Sequence, residues 1–365
     1  MSSQPPSDKK PGFLNAIGSA MREISAEVRK DLRNERPTGY TPTTPSQSSG
    51  AAAPPPPPVI YPAGTVPPVT GNHAQTEEGP TLPNLTEELQ GILLNPWPAL
   101  RDNTYANRLR SDAYYHPYTL NDLDFYARDI LPATNPEIVS LVAVEAGDTT
   151  LLQRLTTLFK TSPGLFGSVG YNPRNLQPDL EAMDAHLTSL LNNHPHILSI
   201  GPIGLDANYN ASTLPQQIAQ LQRQLEVAAD FELPAIVFHN KAIKELTQTL
   251  RNTVLPKRLV WLKPIRSTEE LDLIQELDFH VILRAELTHP RETFYQNALR
   301  QLLPQRLLIG SGNSLNAAYR NSGQFNSSVS LPDILTEAAR QLKMPPMSLQ
   351  ARVNTNFAHI YGGNT

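Results

Sequence analysis

Short β-branched runs alternate with helical stretches along most of this chain, and that rhythm narrows the possible folds more than any other feature. The apolar runs are Ile138–Val144, Leu165–Val169, Ile197–Ile200, Ala235–Phe238, Leu259–Leu262, His280–Leu283 and Arg306–Ile309, with a weaker strand near 108–115. Helical patterns fill the intervals at 150–160, 179–192, 215–231, 241–251, 268–277 and 292–303. Eight strands with intervening helices over about 260 residues have the size and order of a (β/α)8 TIM barrel. A doubly wound open sheet shares the rhythm, because alternation alone does not prove closure. The expected class is α/β, a (β/α)8 TIM-barrel domain over 106–365.

The residues before the barrel divide by composition. In 1–36, Leu14, Ile17, Met21, Ile24 and Val28 recur at spacings of three and four, with Phe13 and Leu32 widening the stripe. One apolar seam on an N-terminal amphipathic helix is predicted, opening at Pro11-Gly12 and closing at Pro37. Residues 37–82 carry Thr-Pro-rich sequence and the run Pro54–Pro58, which predicts a disordered linker with polyproline II character. Residues 83–105 predict a short helix and connector, with Asn84 and Glu87 as a cap pair.

Bulk numbers exclude several classes. The chain has 365 residues and a net charge of −4, so no global basic field favours nucleic acid. It contains no cysteine, which removes disulfide frameworks, thiol catalysis and cysteine-based zinc sites. No run approaches the ~18 apolar residues of a spanning helix, and the N-terminus lacks a secretory layout. The expected location is cytoplasmic, with a peripheral membrane or complex-bound placement as the alternative.

Six segments in order resemble landmarks of the TatD family of metal-dependent DNases. Ile200-Gly-Pro-Ile-Gly-Leu-Asp206 resembles that family's G-E-I-G-L-D strand end. Gln216 to Pro234, with Gln224-Leu225 and Glu232-Leu-Pro234, then Ala235-Ile-Val-Phe-His239 with Ala242, resemble the helix and V-I-I-H-x-R-x-A segment that come after it. Gly164 to Pro173 resembles the G-x-H-P turn, with Asn172 in place of histidine. Arg306 to Gly312 resembles the L-L-L-E-T-D strand, and Asn354 to Gly362 the closing N-x-x-x-x-F/L helix. The similarity covers nearly all of 106–365 and implies a two-metal barrel with its site at the carboxyl ends of the strands.

The departures are as informative as the matches. At the family's H-x-H pair the chain reads Asp112-Ala-Tyr114-Tyr115-His116, which keeps only the second histidine. The strand-four glutamate position holds Pro202, the strand-five histidine is assigned to His239, and the strand-six histidine falls at Leu262. Gly310 and Gly312 stand at the strand-eight acidic pair. Proline, leucine and glycine offer no side-chain ligand, and two neutral imidazoles cannot replace a bridging carboxylate. The expectation is a degenerate site without catalytic residues or cofactor. The alternative is a single divalent metal held by His116 and His239 with help from Asp206 or Asp112. Tyr114, Tyr115, His116, Asn172, Asp206, His239 and Lys263 are candidates to line a ligand pocket.

Three functions are compatible with these residues. The first is an inactive TatD-like barrel serving as a scaffold, recruited through residues 13–32 by a protein partner, by self-association or by a membrane surface. The second is a metal-dependent DNase or hydrolase with an altered site. The third is a small-ligand sensor.

Overall fold

The computed structural model describes residues 91–103, 109–127, 137–313, 315–319, 326 and 328–362. These residues belong to the compact unit Glu78–Thr365. The helix expected to carry Leu14, Ile17, Met21, Ile24 and Val28, and the linker 37–82, lie outside the described residues.

The strands are β1 (Leu109–His116), β2 (Glu137–Glu145), β3 (Leu165–Gly170), β4 (Ile197–Asp206), β5 (Ala235–Asn240), β6 (Leu259–Trp261) and β7 (His280–Leu283). Each pairs in parallel with the next in chain order. The last strand is split at Gly310-Ser311. Its first half, β8 (Leu307–Ile309), pairs with β7; its second half, β9 (Gly312–Asn313), pairs with β1 through Tyr115–Gly312 and His116–Asn313. One short segment thus joins both edges of the sheet and closes it into the expected barrel.

Asp112 secures this seam. It is fully buried, and its carboxylate accepts hydrogen bonds from the Ser311 backbone N–H at 2.9 Å, the Ser311 hydroxyl at 2.6 Å and the Tyr126 hydroxyl at 3.0 Å. Burial without a cation pushes its carboxyl up to about 6.

Side-chain alternation produces two apolar layers. Val139, Leu141, Phe166, Ile236, Phe238, Val260, Leu262, Ile282 and Leu308 fill the barrel. Val142, Val144, Ile203, Leu205, Val237, Trp261, Val281 and Leu283 face outward and meet the helices. Those helices are α1 (Trp97–Asp102), α2 (Leu120–Phe125), α3 (Thr149–Leu158), α4 (Leu180–Asn193), α5 (Leu214–Asp230), α6 (Ile243–Arg251), α7 (Thr268–Glu276), α8 (Thr293–Leu299), α9 (Leu331–Leu342) and α10 (Pro346–Tyr361). Start signals are local: Asp179 accepts the N–H groups of Glu181 and Ala182 ahead of α4, and Ser267 with Glu270 forms a capping box on α7.

The amino-terminal end of the barrel is plugged. Trp97 on α1 lies 4.9 Å from Phe166 between ring centres, and Leu100 is fully buried. Asn354 on α10 accepts from the Ser111 N–H and hydroxyl and donates to the Leu109 carbonyl at 2.8 Å, stitching the helix to β1. The opposite, carboxyl end is where catalytic groups of such barrels gather. No helix of the described residues is long and apolar enough to cross a membrane.

Candidate site at the carboxyl mouth of the barrel

Tyr114 and His116 emerge from β1 on the barrel side and stack with ring centres 6.3 Å apart. The His116 Nδ1–H donates to the Ala143 carbonyl at 2.8 Å, because a carbonyl can only accept. Nε2 is then the atom left with a lone pair. Burial lowers the imidazole's pKa and keeps it neutral near pH 7. Burial likewise pushes the Tyr114 phenol well above its usual range, against a weaker opposing pull from Arg284.

Several expected site residues sit elsewhere. Phe238, not His239, belongs to the barrel interior at the end of β5. His239 points into the helix layer: its ring centre is 5.5 Å from that of Trp261, and Nε2 lies 2.9 Å from Glu270 Oε1 on α7, off the hydrogen-bond direction. The assignment of His239 to a shared metal mouth is therefore corrected. Strand alternation turns it away, and the residue one earlier takes the inward place. Tyr115 is corrected for the same reason, as it stacks on Tyr126 at 3.9 Å outside the barrel.

Asp206, at the end of β4, is fully buried and already engaged. It accepts from Arg174 Nε at 2.7 Å, Asn240 Nδ2 at 2.9 Å and the Tyr209 N–H at 3.0 Å. Ile203 and Leu205 face the helices, which leaves Pro202 on the barrel side. Asn172 acts as a loop brace: its N–H donates to Glu145 Oε1 at 3.3 Å, and its side chain accepts from the Arg174 N–H. Burial raises the Glu145 carboxyl above its ordinary value.

Leu262 is inside the barrel, and Lys263 next to it holds its ammonium 5.7 Å from the centre of the Phe238 ring. On the neighbouring strand, Arg284 comes directly after Leu283 and shares the inward parity of Ile282. It is only 6% exposed, it ion-pairs with Glu286, and its Nε finds no partner among the described residues. A Cβ placed on Gly312 would lie 3.9 Å from Arg284 Cδ, so the arginine stem fills space beside the strand-eight acidic position. Sequence reasoning misses Arg284, since one arginine after an apolar run looks like an ordinary solvated strand end.

The donor set does not fit a divalent metal centre. The barrel-side positions that answer to the family's ligands hold Tyr114, His116, Pro202, Phe238, Leu262 and Gly312, of which only His116 offers a good ligand. Asp206, of the same parity as Pro202, is taken up by Arg174, Asn240 and the Tyr209 N–H. No group of three or more His, Cys, Asp or Glu able to hold a metal ion occurs among the described residues. Two clefts elsewhere, one between α6 and α7 and one beside Trp97 and His196, involve none of these side chains.

A closed parallel barrel with helices outside and polar groups at its carboxyl mouth defines the TIM-barrel class. The family model "TatD related DNase" matches residues 115–362, and the chain belongs to that family. Among curated relatives it is 24% identical over 210 residues to the human 3'-5' RNA nuclease TATDN2, covering 54% of this chain and 27% of that protein. It is 22% identical over 172 residues to the uncharacterized metal-dependent hydrolase YjjV of Escherichia coli K12, covering 47% of this chain and 66% of the relative. These matches span less than two thirds of either relative. The crystal structure of E. coli YjjV superposes with a TM-score of 0.61 at 19% identity, covering 69% of this chain and 98% of that one. An uncharacterized amidohydrolase from Saccharomyces cerevisiae gives 0.54 at 11%, covering 69% and 100%.

Proposed function

We propose that this chain is a TatD-family barrel without metal-dependent hydrolysis, kept as a binding module and recruited through residues 13–32. The observation that carries this is the side-chain chemistry of the mouth. A two-metal hydrolase needs carboxylates that bridge cations and polarise a water. Here the corresponding barrel-side positions hold a phenol, a proline, a phenyl ring, an isobutyl group and a glycine beside one neutral imidazole. The seam of Leu14, Ile17, Met21, Ile24 and Val28 supplies the recruitment half of the proposal, with a protein partner or self-association favoured over a membrane surface.

A second reading, an altered-site metal-dependent nuclease, is favoured by one detail. His116 is fixed through Nδ1 on a backbone carbonyl, the arrangement that usually orients a metal-binding imidazole. Several relatives are named as nucleases, among them 3'-5' ssDNA/RNA exonuclease TatD of Musicola paradisiaca, 25% identical over 178 residues.

Elemental analysis of the purified full chain, with DNA and RNA cleavage assayed in magnesium, manganese and zinc, separates the two. The expected result is metal well below one ion per chain and no divalent-dependent cleavage. A tightly held ion together with cleavage abolished by His116→Ala overturns the proposal and establishes the second reading.

A further inference from the structure

We propose that the barrel mouth binds a small oxyanion, a phosphate or carboxylate group of a soluble ligand, between Arg284 and Lys263. This rests on the metal-free reading of the proposed function and adds the class of ligand. In the family resemblance the mouth carries carboxylates that hold cations. In this chain, glycine replaces the strand-eight acid and an arginine stem lies beside it. The strand-eight carboxylate is thereby lost, and a guanidinium paired with Glu286 stands beside its place.

Three observations converge. Arg284 is almost wholly buried, yet only Glu286 meets its guanidinium as an ion-pair partner among the described residues, and Nε–H has no acceptor. Leaving such a donor unsatisfied inside a protein costs free energy that a ligand oxygen would recover. Lys263 follows the adjacent strand: β6 and β7 pair with Trp261 opposite Val281, so the backbones of Lys263 and Arg284 leave neighbouring strand ends. Beside them stand the Tyr114 and Tyr118 phenols, each acted on by both Arg284 and Glu286 in opposite senses. Tyr118 is half exposed, at 50%, and its ring centre lies 5.1 Å from that of His116 with the two planes nearly perpendicular. The mouth thus offers an arginine fork, an ammonium and an exposed aromatic face for the organic part of the ligand.

The test uses the full chain, dialysed against EDTA with its metal content measured, and isothermal titration with inorganic phosphate, phenyl phosphate and acetate. Saturable 1:1 binding of at least one of the three is expected, and the tighter of phosphate and acetate identifies the anion. Arg284→Gln should weaken it by roughly tenfold or more, the usual loss of a charge-assisted hydrogen bond. Lys263→Gln, a half-buried change that cannot empty the core, should weaken it as well and decides the matter where the arginine variant fails to fold. Metal-free protein that binds none of the three, or variants that bind as well as wild type, overturns this proposal alone. Binding that requires a resident metal ion overturns it together with the proposed function.

Discussion

Asp112 is one residue through which pH reaches the fold. Its carboxyl titrates at about 6 when folded against 3.8 for an unperturbed aspartate, because burial opposes ionisation. Between those values the native state holds more protons than the unfolded chain, so stability falls as pH rises from about 4 to about 6. The full effect is of order 3 kcal/mol. His280, held down to about 3 by burial, acts in the opposite sense, and its contribution is lost as pH falls below 6.5. The informative quantity is therefore a difference. Urea midpoints of wild type and Asp112→Asn, measured from pH 4 to 7, should diverge in slope, with the variant lacking the decline toward pH 6. Parallel curves would mean the carboxyl titrates normally. None of this is legible in the sequence, where Asp112 is merely the acid preceding a broken H-x-H pair. His239 and Arg284 elude the sequence for a related reason: in a continuous run such as Ala235-Ile-Val-Phe, no polar alternation marks which residue points inward.

At the scale of elements, α5 does more than pack. Its apolar face, Leu221, Leu225 and Ala228, meets the sheet, while Gln217, Gln220 and Gln224 are buried along the same helix. Gln224 accepts from the Tyr171 N–H at 2.6 Å and donates to the Tyr171 carbonyl at 3.1 Å; Gln217 accepts from the Asp206 N–H at 2.7 Å. Two strand-end loops are thereby fixed by one helix. Gln224→Leu would leave the buried Tyr171 N–H unpaired and its carbonyl with only Gln220 Nε2 at 3.4 Å, and should cost about 1–3 kcal/mol, visible as a lower melting temperature. Unchanged melting would show that water replaces the amide at no cost. Most strands and helices are legible, since the two periodicities differ clearly. β4 is not legible to its full length, because Gly201-Pro202 and Gly204 look like breakers. The structure gives the reason for one of them: a Cβ at Gly204 would fall 1.9 Å from the Phe238 carbonyl oxygen. α9 escapes the expected helix set although Leu331, Ile334, Leu335 and Ala338 keep helical spacing.

For the whole molecule, recruitment and barrel stability should separate. Ile17→Asp with Ile24→Asp would place charge in the apolar seam, and the expected outcome is loss of co-purifying partner with an unchanged barrel melting temperature. Equal recovery of partner by the double variant would move the search to the barrel surface. The split last strand carries a consequence for biosynthesis. Asp112 and Ser311 meet across 199 residues of sequence, and β1 has no closing neighbour until β9 exists. While the chain emerges from a ribosome, β1 and β7 are open sheet edges with unpaired backbone groups, the kind that join other chains. Only when Gly312-Asn313 appears can the ring shut. A stalled or truncated product ending before that point would carry nearly the whole apolar interior with both edges exposed, and it would be a substrate for chaperones and a seed for aggregation.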